Sequence, residues 1–549
     1  MTSSSCPLLQ LPRELRDAIY EHYVIVEGGY IYDFKTGKLR PANDPEHPID
    51  LAFMYTCSRV ADEMKGIALR ANTITFRTFY SPEMSFRAVH FDNILEECLT
   101  QSAYLIGHED YDIRLDLGEP YIRYDKHVFD EVLRVFPKCQ PLLQLARIVE
   151  QESPPYYNQE FMDLCFLLMD GNETGWGEVP SAEREIARYA VEVALKLGGY
   201  SLSWRRSKPF GIQAKRRYTI QARDLLEIQS TLMPWTIPTE DELTYAIRKS
   251  LKPTWQTGTV IGKKCYFSAA AVAIQFLHET AASTRRHLRK IVIHEDHVSV
   301  AHPECHAKGL VPFCRENPFL YIERRLDLWH TALCSFERMD WVALQAELSY
   351  FSQGSPNMFS GDVARWLVEA VDLFRTGMPE KSFRLVFDGN AAPEKASRVF
   401  QRLQRDAAWQ EALEEACVRN LILVPSLCAM RESTLYVREH FPRILRDITH
   451  QSLSFIQCNF DIGSPCDIES IIDQNRNRPA EDWGDDWWEG VFEDQWELDR
   501  EQVELYSPFQ SWRDAFIEEY IQEDERWRFV SVEGSYPTVR IMLDYLPDK

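Results

Sequence analysis

Two widely separated segments of the chain run in the same order, a helix and then a short apolar strand. Residues 268–287 carry helical spacing and lead into Lys290-Ile291-Val292-Ile293; residues 362–375 do the same and lead into Phe383-Arg384-Leu385-Val386-Phe387. Short runs rich in β-branched and aromatic residues suit a pleated, buried surface, whereas the longer stretches repeat their apolar positions at helical spacing. That order is a weak echo of a helix–strand repeat unit and points to a mixed helix–strand body. The two segments do not align well enough to make a leucine-rich solenoid, which shows more copies at a fixed period. The remaining pattern is mostly helical. Residues 129–150, 157–169, 181–197 and 393–419 read as helices, the last with Val399, Leu403 and Ala407 on one face. Residues 171–177 read as a loop. Thr239-Glu240-Asp241-Glu242 forms a capping box after Pro238 and starts a helix to about residue 250, whereas Arg184 stands where a box opened by Ser181 needs Glu or Gln. The fold class expected is therefore α+β, mainly helical.

A chain of 549 residues, 45% of them hydrophobic, is too long for one ordinary domain and has ample material for a core. Composition and pattern divide it into residues 1–80, a helical region with loops over 81–230, a helix–strand body over 231–470, and an acidic, Trp-rich segment with a helix and strand over 471–549.

The first region opens on a clear helix. Leu11, Leu15 and Ile19 repeat at four-residue spacing and share a face, Pro12 suits the first turn, and Glu14 complements the helix dipole. Residues 24–34 alternate around Gly28-Gly29 and read as a hairpin. Residues 40–48 read as a loop, 49–71 as helix, and Asn72-Thr73-Ile74-Thr75-Phe76 as a strand. The run Leu8-Leu9-Gln10-Leu11-Pro12-Arg13-Glu14-Leu15-Arg16-Asp17-Ala18-Ile19-Tyr20 resembles the opening of F-box domains, and more narrowly the F-box-like domains of filamentous fungi. Thr56-Cys57-Ser58-Arg59, Asp62-Glu63 and the strand at 72–76 resemble the second half of those fungal domains, so the likeness covers residues 8–80. About thirty residues, 21–50, separate the first helix from the second, where a generic F-box has no long break.

The resemblance implies an adaptor. Leu9, Leu11, Pro12, Leu15 and Ile19 would meet a Skp-type adaptor of a cullin-RING ubiquitin ligase, and the body beyond about residue 230 would present a protein substrate. The alternative is a non-catalytic protein whose F-box-like helix packs into its own core. Pro234-Trp235-Thr236-Ile237-Pro238, Phe267-Ser268-Ala269-Ala270 and Pro303-Glu304-Cys305-His306 resemble a filamentous-fungal family of uncharacterised activity, which adds kinship and no chemistry.

Charge narrows the partners. Net charge is -23, from 84 acidic and 61 basic residues, which disfavours nucleic acid and anionic membrane surfaces. No run approaches the roughly 20 apolar residues of a membrane span, and the first residues lack a signal-peptide pattern. The 13 cysteines include no C-x-x-C pair, so free thiols in the cytoplasm or nucleus are expected. Residues 205–208 and 215–217 form a basic island, read as an import signal or a solvated loop. Residues 481–504 hold eleven acids, one Arg and four tryptophans, read as an interaction segment or a surface insertion.

No P-loop, G-x-S-x-G, dinucleotide or kinase signature occurs, so no enzyme and no cofactor are expected. Six of the 14 histidines lie between His278 and His306, beside Cys305 and Cys314. The residue types suit zinc, but Cys305 and His306 are adjacent and no H-E-x-x-H occurs, so no metal site is expected. Glu323-Arg324-Arg325 with Asp327, and Arg315-Glu316-Asn317, read as structural ion pairs.

Overall fold

The computed structural model describes residues 6–106, 131–132, 134–136, 180–196, 222–249, 264–333, 356–390, 392–422, 441–478 and 482–483. The chain starts with α1 (Pro7–Gln10) and α2 (Arg13–Val24), then a hairpin of β1 (Tyr30–Asp33) and β2 (Lys38–Pro41). A 3-10 turn (Ala52–Tyr55), α3 (Ser58–Met64), α4 (Ile67–Ala71) and β3 (Thr73–Arg77) follow. Next come α5 (Pro82–Ile106), α6 (Pro180–Lys196), α7 (Ala222–Thr231) and α8 (Glu240–Arg248). The body then alternates: α9 (Ala269–Glu279), α10 (Ala282–Arg285), β4 (Lys290–Glu295), a 3-10 stretch (Pro303–Leu310), α11 (Val311–Glu316), β5 (Tyr321–Asp327) and a π turn (Leu328–Ala332). It continues with α12 (Pro356–Arg375), β6 (Phe383–Asp388), α13 (Pro393–Val418), α14 (Phe441–Thr449), β7 (Ile456–Cys458) and α15 (Ile468–Asn475).

The described residues are mainly helical, around one seven-stranded sheet of order β2-β1-β3-β4-β5-β6-β7. Only β2 is antiparallel; from β1 through β3 to β7 the strands are parallel and in chain order. Parallel strands need crossovers, and crossovers are right-handed, so a monotonic order sends every crossover to the same face. The packing agrees. The main core joins Ile74, Phe76, Ile291, Ile293, Phe383 and Phe387 to apolar residues of α9, α11, α12, α13 and α14. Those sheet residues alternate along their strands, so all lie on one face.

Several local expectations change. The hairpin turns at residues 34–37, and Gly28-Gly29 lies before its first strand. Both glycines have positive φ, and a Cβ on Gly29 would lie 2.3 Å from the Thr73 carbonyl oxygen. They deliver β1 to β3. The helix expected over 49–71 is broken into a 3-10 turn, α3 and α4. Gly66 sits between the two helices at φ +75°, where any Cβ would strike the His287 ring. The helix expected over 268–287 ends at Glu279, and α10 starts two residues beyond Thr280. The capping box at Thr239 forms as read: Glu242 N–H donates to Thr239 Oγ1 and Thr239 N–H donates to the Glu242 carboxylate. The basic island, the helix expected over 157–169, most of that over 129–150, and nearly all of the acidic tract lie outside the described residues. Of the tract's tryptophans, Trp483 is described; it is buried and its indole N–H donates to the Asn475 carbonyl.

Candidate functional site

The N-terminal helices make a small module with its own core. Tyr20 and Val24 of α2 pack on Val60 and Met64 of α3 and Ile67 of α4, with Leu8, Leu9 and Phe53 at the margin. Glu63 clamps the pair. It accepts from Arg16 through both carboxylate oxygens, at 2.7 and 2.8 Å, from Tyr20 Oη at 2.9 Å and from Arg59 at 3.0 Å. The Arg16 guanidinium, outweighing burial, brings the Glu63 carboxyl down to about 2.

Next to this buried face, roughly 100° around α2, runs an exposed apolar stripe. Leu15 is 53%, Ile19 39% and Tyr23 36% exposed, a stripe at four-residue spacing, and residues four apart are neighbours on a helix surface. Of the five residues expected to meet a partner, Leu15, Ile19 and Pro12 are exposed, whereas Leu9 and Leu11 are half-buried. Leu11 precedes the helix, which starts at Arg13. The stripe gains Tyr23, which the same spacing marks in the sequence. The interval after α2 holds the β1–β2 hairpin that edges the sheet.

The histidine- and cysteine-rich segment is split among different environments. His306 is buried with Ser268. Its Nε2 lies 2.7 Å from the Ala301 carbonyl oxygen, which can only accept, so Nε2 carries the proton. Burial pushes this imidazole down to about 3. Its bare Nδ1 then accepts from Ser268 Oγ at 2.6 Å, while Ser268 Oγ accepts from the Ala271 N–H as the cap of α9. Glu295 stands beside them, accepting the Ala269 and Ala270 amides and, on one oxygen, Arg324 Nη2 and Nε at 2.6 and 2.9 Å. The Arg324 guanidinium also donates to the Pro303 and Glu304 carbonyls and lies over the Trp366 ring.

A serine, a histidine and a carboxylate thus meet, but as a cap. The serine is 0% and the histidine 1% exposed. The adjoining cavity, lined by Glu304, Cys305, Lys308, Arg324 and Glu369, holds about 10 Å³, room for roughly one water molecule. Burial raises the Cys305 thiol and brings Cys314 up to about 12, so neither is a nucleophile at neutral pH. Among the described residues no group of three or more His, Cys, Asp or Glu side chains is placed to hold a metal ion. The expected ion-pair cluster also divides. Arg324 turns to the helix-covered side, and Glu323 and Arg325 to the other. Arg315 donates to the Gly377 and Thr376 carbonyls, and Glu316 pairs with Arg285.

The sheet face away from the helices is polar, and register sorts it into rows. Thr73, Lys290 and Tyr321 form one row; Ile31, Thr75, Val292, Glu323 and Arg384 form the next. Arg77, His294, Arg325, Val386 and Gln457 form a third. Glu323 takes Arg325 at 2.7 Å and Lys290 at 3.9 Å. Burial first, then Arg77 and Arg325 on either side, lower the affinity of His294 for a proton. Asp327 and Asp388 pair in register at the strand ends. Both cap local turns: Asp327 accepts the Trp329 and His330 amides, and Asp388 the Asn390 amide. The sequence by itself does not reveal this surface, because its residues come from six separate strands and meet only through register.

No family model, no curated protein and no solved structure matches this chain.

Proposed function

We propose that the chain is a protein-recognition scaffold, acting as a substrate adaptor that docks through α2 on a Skp-type partner of a cullin-RING ubiquitin ligase. The observation that carries this reading is the Leu15–Ile19–Tyr23 stripe. The adjoining face of the same helix is anchored by Tyr20, Val24 and the Glu63 clamp, so the exposed apolar residues sit on a helix held in place by its own module. Amphipathic helices bind partner grooves through anchors at this spacing. The resemblance of residues 8–80 to F-box-like domains supplies the class of partner. The reading is of a non-catalytic protein working in the cytoplasm or nucleus.

A second reading is favoured by Leu9, which packs against the module's own core: the F-box-like helix is then only part of the fold. A pull-down of the full chain on a Skp-type adaptor separates the two. Adaptor capture by the intact chain, lost in Leu15→Asp/Ile19→Asp with thermal unfolding unchanged, is the outcome expected of docking. Absence of capture by the intact chain leaves the second reading standing.

A further inference from the structure

We propose that the seam between the N-terminal module and the start of β4 binds a phosphoryl group, held by Lys65, Arg70, His287 and Arg289. If the adaptor reading holds, the ligand sits where the docking module meets the rest of the chain; the binding itself does not depend on that reading.

The seam is built on one histidine. His287 lies between α10 and β4, and Gly66 lies between α3 and α4; a Cβ on Gly66 would stand 2.2 Å from the His287 ring. The module therefore backs the ring, and Lys65 is the residue before Gly66. From α4, Arg70 brings Nη1 to 2.9 Å from His287 Nδ1. A guanidinium only donates, so Nδ1 is bare and Nε2 carries the proton. Burial, then Arg70, Arg289 and Lys65, lower the affinity of this imidazole for a second proton, and no carboxylate works against them. Arg286 precedes the histidine and Arg289 follows it by two residues. Arg289 donates from Nη1 to the Arg286 and Leu288 carbonyls, and its guanidinium lies 5.1 Å from the centre of the exposed Phe319 ring.

These cations are not neutralised by their neighbours. Residues 58–71, 282–290 and 316–323 form the seam. Within them Arg59 pairs with Glu63, Arg285 with Glu316 and Lys290 with Glu323. Among the described residues Lys65, Arg70, Arg286 and Arg289 form no ion pair, and Asp62 is the one other acid on these stretches. That balance is the reverse of a chain whose net charge is -23. With Nδ1 taken by Arg70, the polar groups that remain are all donors: His287 Nε2–H, the two guanidiniums and the Lys65 ammonium. Such a set suits an anion that only accepts, and arginine forks match phosphate oxygens. The cations act together on one ring and are not strung along a strand, which fits a compact, multiply charged group. The acidic surface elsewhere disfavours a long polyanion such as nucleic acid.

The test titrates the full-length chain with pyrophosphate in a calorimeter at fixed ionic strength, with citrate as a carboxylate control. Saturable binding of pyrophosphate is expected, weakened about tenfold in Lys65→Glu and in Arg289→Gln, kept in Lys65→Arg, and tighter than that of citrate. Arg70→Gln removes the contact with His287 and can disturb the seam; Lys65 is exposed and touches no other side chain, so its variants decide. A short phosphoserine peptide and its unphosphorylated counterpart are then offered in competition. Displacement of pyrophosphate by the phosphorylated form alone assigns the site to a phosphorylated side chain, and displacement by neither assigns it to a free phosphate. No binding of pyrophosphate or phosphopeptide by the intact chain, citrate bound as tightly, or an affinity unmoved by Lys65→Glu overturns the proposal. Pyrophosphate binding is also measured in Leu15→Asp/Ile19→Asp, and adaptor capture in Lys65→Glu. Each is expected to be unchanged, so loss of one function is read apart from loss of the other.

Discussion

At the scale of single residues, Glu63 ties the exposed helix to the rest of its module, and its protonation has a defined consequence. Its folded carboxyl titrates at about 2, below the ordinary value of 4.5. A depressed carboxyl contributes stability that is fully present above the unfolded value and is lost as pH falls through the folded one. The window runs from about pH 4.5 to 2. Amide-exchange protection of α2 should therefore exceed that of Glu63→Gln by a constant margin above about pH 5, and the margin should shrink towards about pH 2. A margin independent of pH would remove the ionic part of this account. Little of this is visible in the sequence. Glu63 reads as one acid among many until Arg16, Tyr20 and Arg59 are seen around it. In contrast, the spacing that carries Leu15 and Ile19 is written in the chain, and helical geometry alone puts them on one face. The joint burial of Ser268, Glu295, His306 and Arg324 was not legible, because Ser268 and His306 are 38 residues apart and Glu295 and Arg324 are 29 apart. Removing one member of a buried ion pair costs about 3–5 kcal/mol, so Glu295 and Arg324 are fixed by stability whatever the protein binds.

At the scale of elements, the strands at 73–77, 290–295 and 383–388 and the helices at 240–248, 356–375 and 393–418 stand close to where periodicity and caps put them. The misplaced elements share a cause. Where helical spacing ran on across Gly66 or Thr280, the chain instead turned to meet a distant neighbour, and periodicity carries no record of that neighbour. Gly29 is the sharpest case. Its positive φ and its contact with the Thr73 carbonyl leave no room for a side chain. Gly29→Ala should cost about 1–3 kcal/mol, seen as a lowered unfolding midpoint and faster amide exchange along β1 and β2, with β5 and β6 little changed. Unaltered exchange at β1 would show that the hairpin does not depend on this close approach.

At the scale of the whole molecule, β3 hydrogen-bonds along β4, so the first eighty residues complete the sheet that the later strands continue. Deleting residues 1–80 bares the β4 edge and the apolar side chains that Ile74 and Phe76 cover, a combination that invites edge pairing between molecules. The truncated chain should aggregate or lose cooperative unfolding, checked by size-exclusion chromatography and calorimetry. A monomeric truncation with an unchanged melt would show that the body is independent of its N-terminal strands.

Local spacing was enough to place the strands at 73–77, 290–295 and 383–388, the capping box at Thr239, the mainly helical class and the Leu15–Ile19 face, because each depends on neighbours a few residues away, whereas the central strand β5 read only as ion pairs. Tertiary structure alone decided that the strands run parallel in chain order, that their helices share one face, and that Arg77, His294 and Arg325 line up on the other. Strand pairing joins residues as far apart in the chain as Arg77 and His294, and the free energy that selects it comes from burying Ile74, Ile291, Ile322 and their neighbours together.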